Sequence, residues 1–234
     1  MKNKALRSSV FALALLLFIL SFSIALPIYL RPFYYANISP LDLETASGYS
    51  KAEIKDAYNS LLDYLTIPGK EFSVGPFPYS DRGASHFKDC KFLFLLDTFV
   101  LIVSATVTAV MLILKRRLKW QEFKIGKLSA SLCSAIGAVT LPIIVGILAA
   151  TDFERAFKIF HKIFFPGKIN WYFNPELDPI INVMPVQFFM NCAILIGVSI
   201  LLISAAIIIF NIKKRNRLIN QSVSLIIYPS MLRP

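Results

Sequence analysis

The chain contains, at residues 186–212, the stretch VQFFMNCAILIGVSILLISAAIIIFNI, in which no residue is charged. At a rise of about 1.5 Å per residue, a helix of this length is about 40 Å long and exceeds a bilayer hydrocarbon core of about 30 Å. Three further stretches, residues 10–30, 92–114 and 128–150, contain no Lys or Arg, and Asp97 is the one acid in any of them. The sequence therefore predicts four transmembrane helices in an all-α membrane protein.

Overall composition supports this class. The 234 residues are 56% hydrophobic and only 17% charged, with a mean hydropathy of +0.62, whereas soluble domains are about 45–50% apolar and about 25% charged. Such a composition excludes a disordered chain, and three cysteines are too few for a disulfide scaffold. The net charge of +11 then has to be explained by where the charges lie.

The basic residues flank the predicted spans on one side. Residues 1–9, 115–127 and 213–234 together hold 14 of the 25 basic residues and a single acid, whereas residues 31–91 and 151–187 carry slightly more acids than bases. Positive charge stays cytoplasmic, so we expect both termini inside and both longer segments outside. The excess of basic residues is explained by this membrane orientation, so it does not indicate a nucleic-acid partner. Ser23-Ile24-Ala25 loosely resembles a signal-peptide cleavage site, but the apolar run continues to Leu30, so we expect an uncleaved span.

The two outside segments are too long to be bare connections. We expect residues 1–234 to form one integral membrane domain, a four-helix bundle with a small extracytoplasmic cap made of residues 31–91 and 151–187. Ser50 and Glu53 form a capping box that begins an amphipathic helix ending near Pro68-Gly69. A second amphipathic helix, broken by Pro166-Gly167, carries a stripe of phenyl rings that suits the membrane interface: Phe153, Phe157, Phe160 and Phe164.

The chain has two histidines, His86 and His161, and each lies in an outside segment close to a predicted span. Imidazole titrates near neutral pH, so the two rings form a candidate acid–base pair, although they could also be unrelated interfacial residues. Asp89 follows His86 by three residues and would share its helix face. It could orient the ring, or it could simply pair with Lys88 or Arg82.

Other residue types give weaker signals. Cys90 lies one turn from His86 and is either an acyl-accepting nucleophile or a small buried residue. Asp97 lies inside a span, where acidic residues are commonly functional. Its carboxyl group could instead be simply hydrogen-bonded by Thr98 or Asn191. The sequence contains no HExxH, CxxC, GxSxG, P-loop or GxGxxG pattern, so we expect no metal and no cofactor.

Two longer strings resemble the signatures of a known family. Residues 80–91 read SDRGASHFKDCK and residues 160–175 read FHKIFFPGKINWYFNP, and Asp178, Pro185 and Phe189 follow in the same order as in the family. With the capped helix around Tyr58, these strings resemble the bacterial lipoprotein intramolecular transacylases over nearly the whole chain. The resemblance implies four spans and an extracytoplasmic cap, with His86 and His161 as the two catalytic histidines at the boundary between cap and membrane.

The resemblance also implies a reaction. Such an enzyme moves the sn-2 acyl chain of a lipoprotein's diacylglyceryl group to the α-amino group of its N-terminal cysteine, which gives a lyso-form lipoprotein. One histidine would take the proton of the amine, and the other would stabilise the oxyanion or protonate the departing glyceryl oxygen. We expect Arg82, Asp89 and Asp178 to position these groups or the substrate. The expected aromatic wall for the acyl chains consists of Phe87, Phe164, Phe165 and Trp171.

The expected partners are therefore diacylglyceryl-modified lipoproteins and membrane lipids, and the expected location is the bacterial plasma membrane with the site facing outside. Two other readings stay open at the level of sequence. The chain could be a non-catalytic four-span scaffold that binds a lipid or a partner protein. It could also be a lipid or lipoprotein hydrolase that uses His86 and Cys90.

Overall fold

The computed structural model describes residues 2–122, 124–125 and 128–227, and within them the chain is almost entirely helical. Of the basic residues counted above, Lys127 and Arg233 lie outside these ranges. In chain order the elements are α1 (Lys2–Tyr29), α2 (Arg31–Ile38), α3 (Leu43–Ser47), α4 (Lys51–Thr66), α5 (Asp81–Arg117), β1 (Lys124–Ile125), β2 (Leu128–Ser129), α6 (Ala130–Thr151), α7 (Phe153–Phe164), α8 (Ile180–Val183) and α9 (Val186–Ile227). The two short strands pair antiparallel as a small hairpin.

Among the described residues, three helices are long and apolar enough to cross a membrane: residues 4–29 of α1, the whole of α5, and residues 186–217 of α9. The third predicted span, 128–150, corresponds to α6, in which the apolar stretch Ala130–Ile144 is shorter. Large apolar side chains on α5 and α9 face outward, for example Phe99 at 64% and Leu202 at 67% exposure. Side chains of this kind suit contact with lipid. The chain is a helical membrane protein.

The four long helices pack on one another through α1, which contacts α5, α6 and α9, while α6 also contacts α9. Their shared core includes Phe11, Ile19, Ala138 and Ile200. Small side chains such as Ala138 let helix backbones approach closely, which is the usual way helices associate in membranes. Inside this bundle Asp97 hydrogen-bonds Ser21 of α1.

The suggestion that Thr98 or Asn191 satisfies Asp97 was wrong, because both have other partners. Thr98 donates to the Phe94 carbonyl and bonds the Tyr29 hydroxyl. The Asn191 amide donates to Asn37 of α2.

At one end of the bundle the link between α5 and α6 is held by a buried carboxylate. Glu122 pairs with Lys115 and accepts from the backbone N–H of Ser131 at 2.8 Å. A buried charge is tolerated when it is paired and hydrogen-bonded, as it is here.

At the other end, α2, α3, α4 and α8, which we call the lobe, pack together around an apolar core. Tyr34 of α2 is fully buried. Its ring stacks on Tyr58 at 3.7 Å and its hydroxyl donates to the Val183 carbonyl at 2.8 Å, so one side chain joins three helices. The lobe packs on the starts of α5 and α9 through Phe87 and Phe188.

The two helices predicted outside the spans are confirmed. Helix α4 begins at the expected capping box, in which Ser50 accepts from the Glu53 N–H and the Glu53 carboxylate accepts from the Ser50 N–H. Helix α7 ends at Phe164, before Pro166. Its phenyl stripe is shared between two environments, because Phe157 packs against Phe189 at 5.3 Å whereas Phe160 and Phe164 are nearly half exposed.

Candidate active site

His86 is carried by the second turn of α5, six residues before the apolar stretch that begins at Phe92 and so outside the predicted span. Ser80 caps this helix, with its hydroxyl accepting from the Gly83 N–H at 3.0 Å. Asp178, 98 residues away in the chain, accepts from both the Ser80 N–H and the Ser80 hydroxyl at 2.8 Å. We call this arrangement the clasp, because it joins the segment that carries His86 to the segment that follows His161.

Gly83 allows the clasp to form. A Cβ atom at this position would overlap the Asp178 carboxylate, coming within 2.9 Å of its Cγ, and would lie 3.1 Å from Phe173. A helical glycine is unfavourable by about 1 kcal/mol relative to alanine. Its presence in the first turn of α5 is explained by this close approach of the carboxylate.

His161 lies in the last turn of α7 and is buried, at 6% exposure. Its Nδ1 lies 2.8 Å from the carbonyl oxygen of Phe157, one turn earlier. A carbonyl oxygen only accepts, so Nδ1 carries the ring proton and Nε2 of the neutral ring keeps its lone pair. This contact therefore defines His161 as a proton acceptor at Nε2.

The two imidazoles meet although they are far apart in the chain. Their ring centroids are 5.7 Å apart with a tilt of 33°. Aromatic rings enclose both of them: Phe165 lies 5.0 Å from His86 and 5.6 Å from His161, and the indole of Trp171 stacks on His161 at 4.5 Å. Such a wall is apolar and excludes water from the space around the pair.

Burial keeps both histidines neutral at pH 7. Removal from water lowers the pKa of His86 to about 4, and the neighbouring His161 adds to this effect. Burial also lowers the pKa of His161, which is partly offset by the hydrogen bond to Phe157. A neutral imidazole is the form that can accept a proton.

The two nitrogens of His86 have different surroundings. Nε2 lies 3.4 Å from the Cys90 sulfur. Nδ1 is buried and has no hydrogen-bond partner among the described residues. A buried polar atom left unpaired costs about 1–3 kcal/mol, so Nδ1 of His86 is a candidate position for a ligand atom.

Asp89 orients neither histidine directly. It forms an ion pair with Lys168 at 2.5 Å and accepts from the Asn170 amide at 3.1 Å. The suggested pairing with Lys88 or Arg82 was therefore wrong. Burial favours the neutral acid, but the hydrogen bonds from Lys168 and Asn170 prevail and lower the pKa of Asp89.

A family model described as "Lipoprotein intramolecular transacylase Lit" matches residues 9–189. The chain belongs to this family. It is also similar to the solved structure of the membrane integral lipoprotein intramolecular transacylase Lit from Bacillus cereus, with 25% identity and a TM-score of 0.80 over 92% of this chain and 99% of that chain.

Two further structures of that protein, each with one histidine replaced by arginine or alanine, match at 25% identity with TM-scores of 0.73 and 0.75. They cover 92% and 93% of this chain, and 95% and 96% of those chains. No curated protein sequence matches the chain.

Membership of the transacylase family confirms the resemblance seen in the sequence, and it makes the chain a membrane acyltransferase that acts on lipoproteins. The reading as a non-catalytic scaffold is not favoured.

The transacylase fold brings most of the expected site residues together. Phe87 lies 5.8 Å from His86, and Phe165 and Trp171 contact the pair as described. Phe164 instead pairs with Phe160 at 4.5 Å on the exposed side of α7. Arg82 donates to the Ile169 carbonyl and so links α5 to the loop after α7. No group of three or more side chains suited to a metal ion occurs in the part of the chain that the structure describes.

Sequence reasoning missed two neighbours of the histidines. The ring of Phe173 lies 5.5 Å from His86 and 5.3 Å from Phe87. The carbonyl of Phe157 fixes His161, and its ring lies 4.3 Å from the imidazole. Phe157 precedes His161 by one helical turn, so that contact could have been found from the i, i+4 rule.

The chain has only two histidines, so NMR spectra of the protein with isotope-labelled histidine give one set of imidazole signals for each ring. We expect both rings to titrate below 6.5, with His86 near 4, and the ¹⁵N shifts of His161 to show its proton on Nδ1. The neighbouring His161 lowers the pKa of His86 when both rings are titrated at acidic pH, so the His161→Gln variant, which cannot carry that charge, should raise the pKa of His86. The purification tag should contain no histidine, because tag histidines would add imidazole signals to the spectra.

Lys162→Ala is the control, because this exposed residue adjoins His161 in sequence and should leave both titrations where they are. Titration of either ring at or above 6.5 contradicts the neutral, buried pair.

Proposed function

We propose that the chain carries out O-to-N acyl transfer at the outer face of the bacterial plasma membrane. It moves the sn-2 acyl chain of a diacylglyceryl lipoprotein to the α-amino group of the N-terminal cysteine, with His86 and His161 as catalytic residues. The observation that carries this proposal is the pair of buried, neutral imidazoles 5.7 Å apart within an apolar wall. The nucleophile belongs to the substrate, so the protein has to supply acid–base chemistry, orientation and exclusion of water.

His161 moves the proton. The neutral α-amine attacks the ester carbonyl carbon, which forms the C–N bond, and Nε2 of His161 takes the proton from the attacking nitrogen. The same Nε2–H then protonates the glyceryl oxygen as the C–O bond breaks, so the ring returns to its starting state. The hydrogen bond from Nδ1 to Phe157 supports this role because it holds Nε2 as the acceptor.

His86 stabilises the oxyanion. If the Cys90 thiol donates to Nε2, the ring proton is on Nδ1, and the unpaired Nδ1–H can donate to the carbonyl oxygen as negative charge develops there. The low polarity around the ring strengthens such a hydrogen bond. Both reacting groups are on one substrate molecule, so holding them in contact supplies several kcal/mol of the barrier reduction.

Three residues position these groups. Asp178 fixes the start of α5 through the clasp, and Asp89 and Arg82 tie α5 to residues 168–170 of the loop that carries Trp171. Phe87, Phe165 and Trp171 form the wall for the acyl chain at the histidines. Phe164, on the exposed side of α7, is suited to contact the acyl chain before it reaches the pair.

We also propose four spans within α1, α5, α6 and α9, both termini in the cytoplasm, and the lobe with α7 as an extracytoplasmic cap. The distribution of basic residues supports this orientation. The packing of α1 on α5, α6 and α9 supports α6 as the remaining span of the bundle. The histidine pair then lies at the outer membrane–water boundary, where the lipid anchor of a lipoprotein is found.

The test is expression in a bacterium that makes only diacyl lipoproteins, followed by mass spectrometry of lipoprotein N-terminal peptides. We expect lyso-form peptides, with one acyl chain on the glyceryl group and one on the α-amino group. Diacyl peptides alone would overturn the proposal.

The hydrolase reading predicts released fatty acid and a dependence on Cys90. Burial raises the pKa of the Cys90 thiol, so thiolate is scarce at neutral pH, which disfavours that reading. The same expression experiment distinguishes the two readings, because hydrolysis leaves the α-amino group free.

A further inference from the structure

An open cavity of about 430 Å³ lies between the start of α5 and the loop that follows α7. Its volume is in the range of about 300–1,000 Å³ that is usual for ligand sites. Ser85 of its wall directly precedes His86, and Asn170 directly precedes Trp171, whose indole stacks on His161. The residues that line it are Arg82, Ser85, Lys168, Ile169 and Asn170.

Four of the five residues that line the cavity have polar side chains, whereas the wall around the histidines is aromatic. The Asn170 NH₂ group donates to Asp89 at 3.1 Å, which fixes the orientation of the amide because a carboxylate only accepts. Its Oδ1 is then an acceptor, and it is buried with no hydrogen-bond partner among the described residues. A buried acceptor without a partner costs about 1–3 kcal/mol, so a ligand N–H or O–H group that reaches this oxygen from the cavity is favoured.

The cavity wall also contains side chains with hydrogen-bond donors. Arg82 gives an N–H to the Ile169 carbonyl, and its guanidinium group has five such donors in all. Lys168 pairs with Asp89. Arg82, Lys168 and Asp89 together leave one net positive charge beside the cavity.

A peptide backbone fits this set of groups, because each peptide unit presents one donor and one acceptor. In the reaction proposed above, the lipoprotein substrate extends from the reacting cysteine in two directions. Its acyl chains suit the aromatic wall, whereas its polypeptide cannot enter that wall without losing hydrogen bonds to water. The cavity is lined by residues that adjoin His86 and Trp171 in sequence, and its polar side chains can supply replacement hydrogen bonds.

We propose that this cavity binds the first residues of the lipoprotein polypeptide after the modified cysteine, through their peptide groups, with a preference for acidic over basic side chains. The inference rests on the proposed function. It adds that the enzyme recognises the polypeptide as well as the lipid, and that Asn170 and Arg82 carry this recognition.

The test uses the purified full chain and synthetic diacylglyceryl-cysteine substrates that end at the cysteine amide or continue for two or four further residues. We expect kcat/KM to rise about tenfold from the amide to the three-residue substrate, as two or three added hydrogen bonds would give, and then to level off. The rise should appear mainly in KM. Aspartate at the second and third positions should give a higher kcat/KM than lysine.

Two variants examine the cavity itself. Asn170→Leu removes the acceptor at similar volume, and Arg82→Ala removes the donor group. Each should reduce the ratio of kcat/KM between the three-residue substrate and the amide towards one, which a general loss of folding would not do. Lys162→Ala removes an exposed positive charge from α7 and should keep the full ratio.

Failure of the inference is distinct from failure of the function. Equal kcat/KM for all lengths, or an unchanged ratio in both cavity variants, overturns the peptide site and leaves the transacylase in place. Absence of acyl transfer with every substrate overturns the proposed function, and the peptide site with it.

Discussion

The His161→Gln variant is expected to form lyso-lipoprotein about 10²–10⁴-fold more slowly than the wild type, because glutamine cannot take the proton of the attacking amine. The His86→Gln variant should lose about 10²–10³-fold, since the amide replaces an oriented oxyanion donor. Glutamine keeps a polar side chain of similar length in the ring-lined space, so both variants should still fold. The measurement is the initial rate of conversion of a diacylglyceryl lipopeptide by mass spectrometry.

Lys88→Ala and Lys162→Ala are matched controls, because Lys88 follows His86 by two residues, Lys162 directly follows His161, and both lysines are exposed. Both should keep the wild-type rate. Full activity in either histidine variant would contradict the assignment of that histidine.

The Gly83→Ala variant is expected to reduce both stability and activity. Its Cβ would overlap the Asp178 carboxylate and press on Phe173, so the clasp has to open or α5 has to shift. Overpacking of this kind destabilises by about 1–3 kcal/mol. We expect a lower Tm in detergent and a loss of activity of at least about tenfold, since the start of α5 sets the position of His86.

Gly197→Ala is the control for this effect. Gly197 lies inside α9, and no described atom beyond the neighbouring backbone of its own helix lies within 4 Å of an added Cβ. Alanine should therefore leave activity intact and raise helix stability by up to about 1 kcal/mol. Unchanged Tm and activity in Gly83→Ala would show that the clasp does not position His86.

Hydropathy located the long helices because a membrane requires an uninterrupted apolar stretch, but it did not locate their ends. Helix α5 begins at Asp81, eleven residues before the predicted span, and α9 continues to Ile227, beyond the predicted end of the span at Ile212. The apolar boundary reports where lipid begins, whereas the helix ends where its caps and hydrogen bonds end. At residue 128 the sequence predicted a helix, and the structure has the short strand β2 instead.

The parts of the candidate site that depend on family resemblance or on contacts between residues close in sequence were predictable. Two histidines in 234 residues left little choice of acid–base residue, and the i, i+4 rule finds Phe157. The partners of Asp89 and Asp178 were not predictable, because Lys168 and Ser80 are 79 and 98 residues away in the chain. Contacts of that kind are set by how the loops fold over the bundle, and nothing in the spacing of residues along a single chain reports them.

The clasp has a consequence for biogenesis. Its halves are made at very different times during synthesis, since Ser80 leaves the ribosome long before Asp178. Until the later half emerges, the start of α5 lacks its carboxylate partner, and a product that stops before residue 161 also lacks the second imidazole. Under the mechanism proposed above, which needs both imidazoles, acyl transfer begins only after the chain has been made beyond residue 161, and a translation product that stops earlier is inert towards the lipids around it.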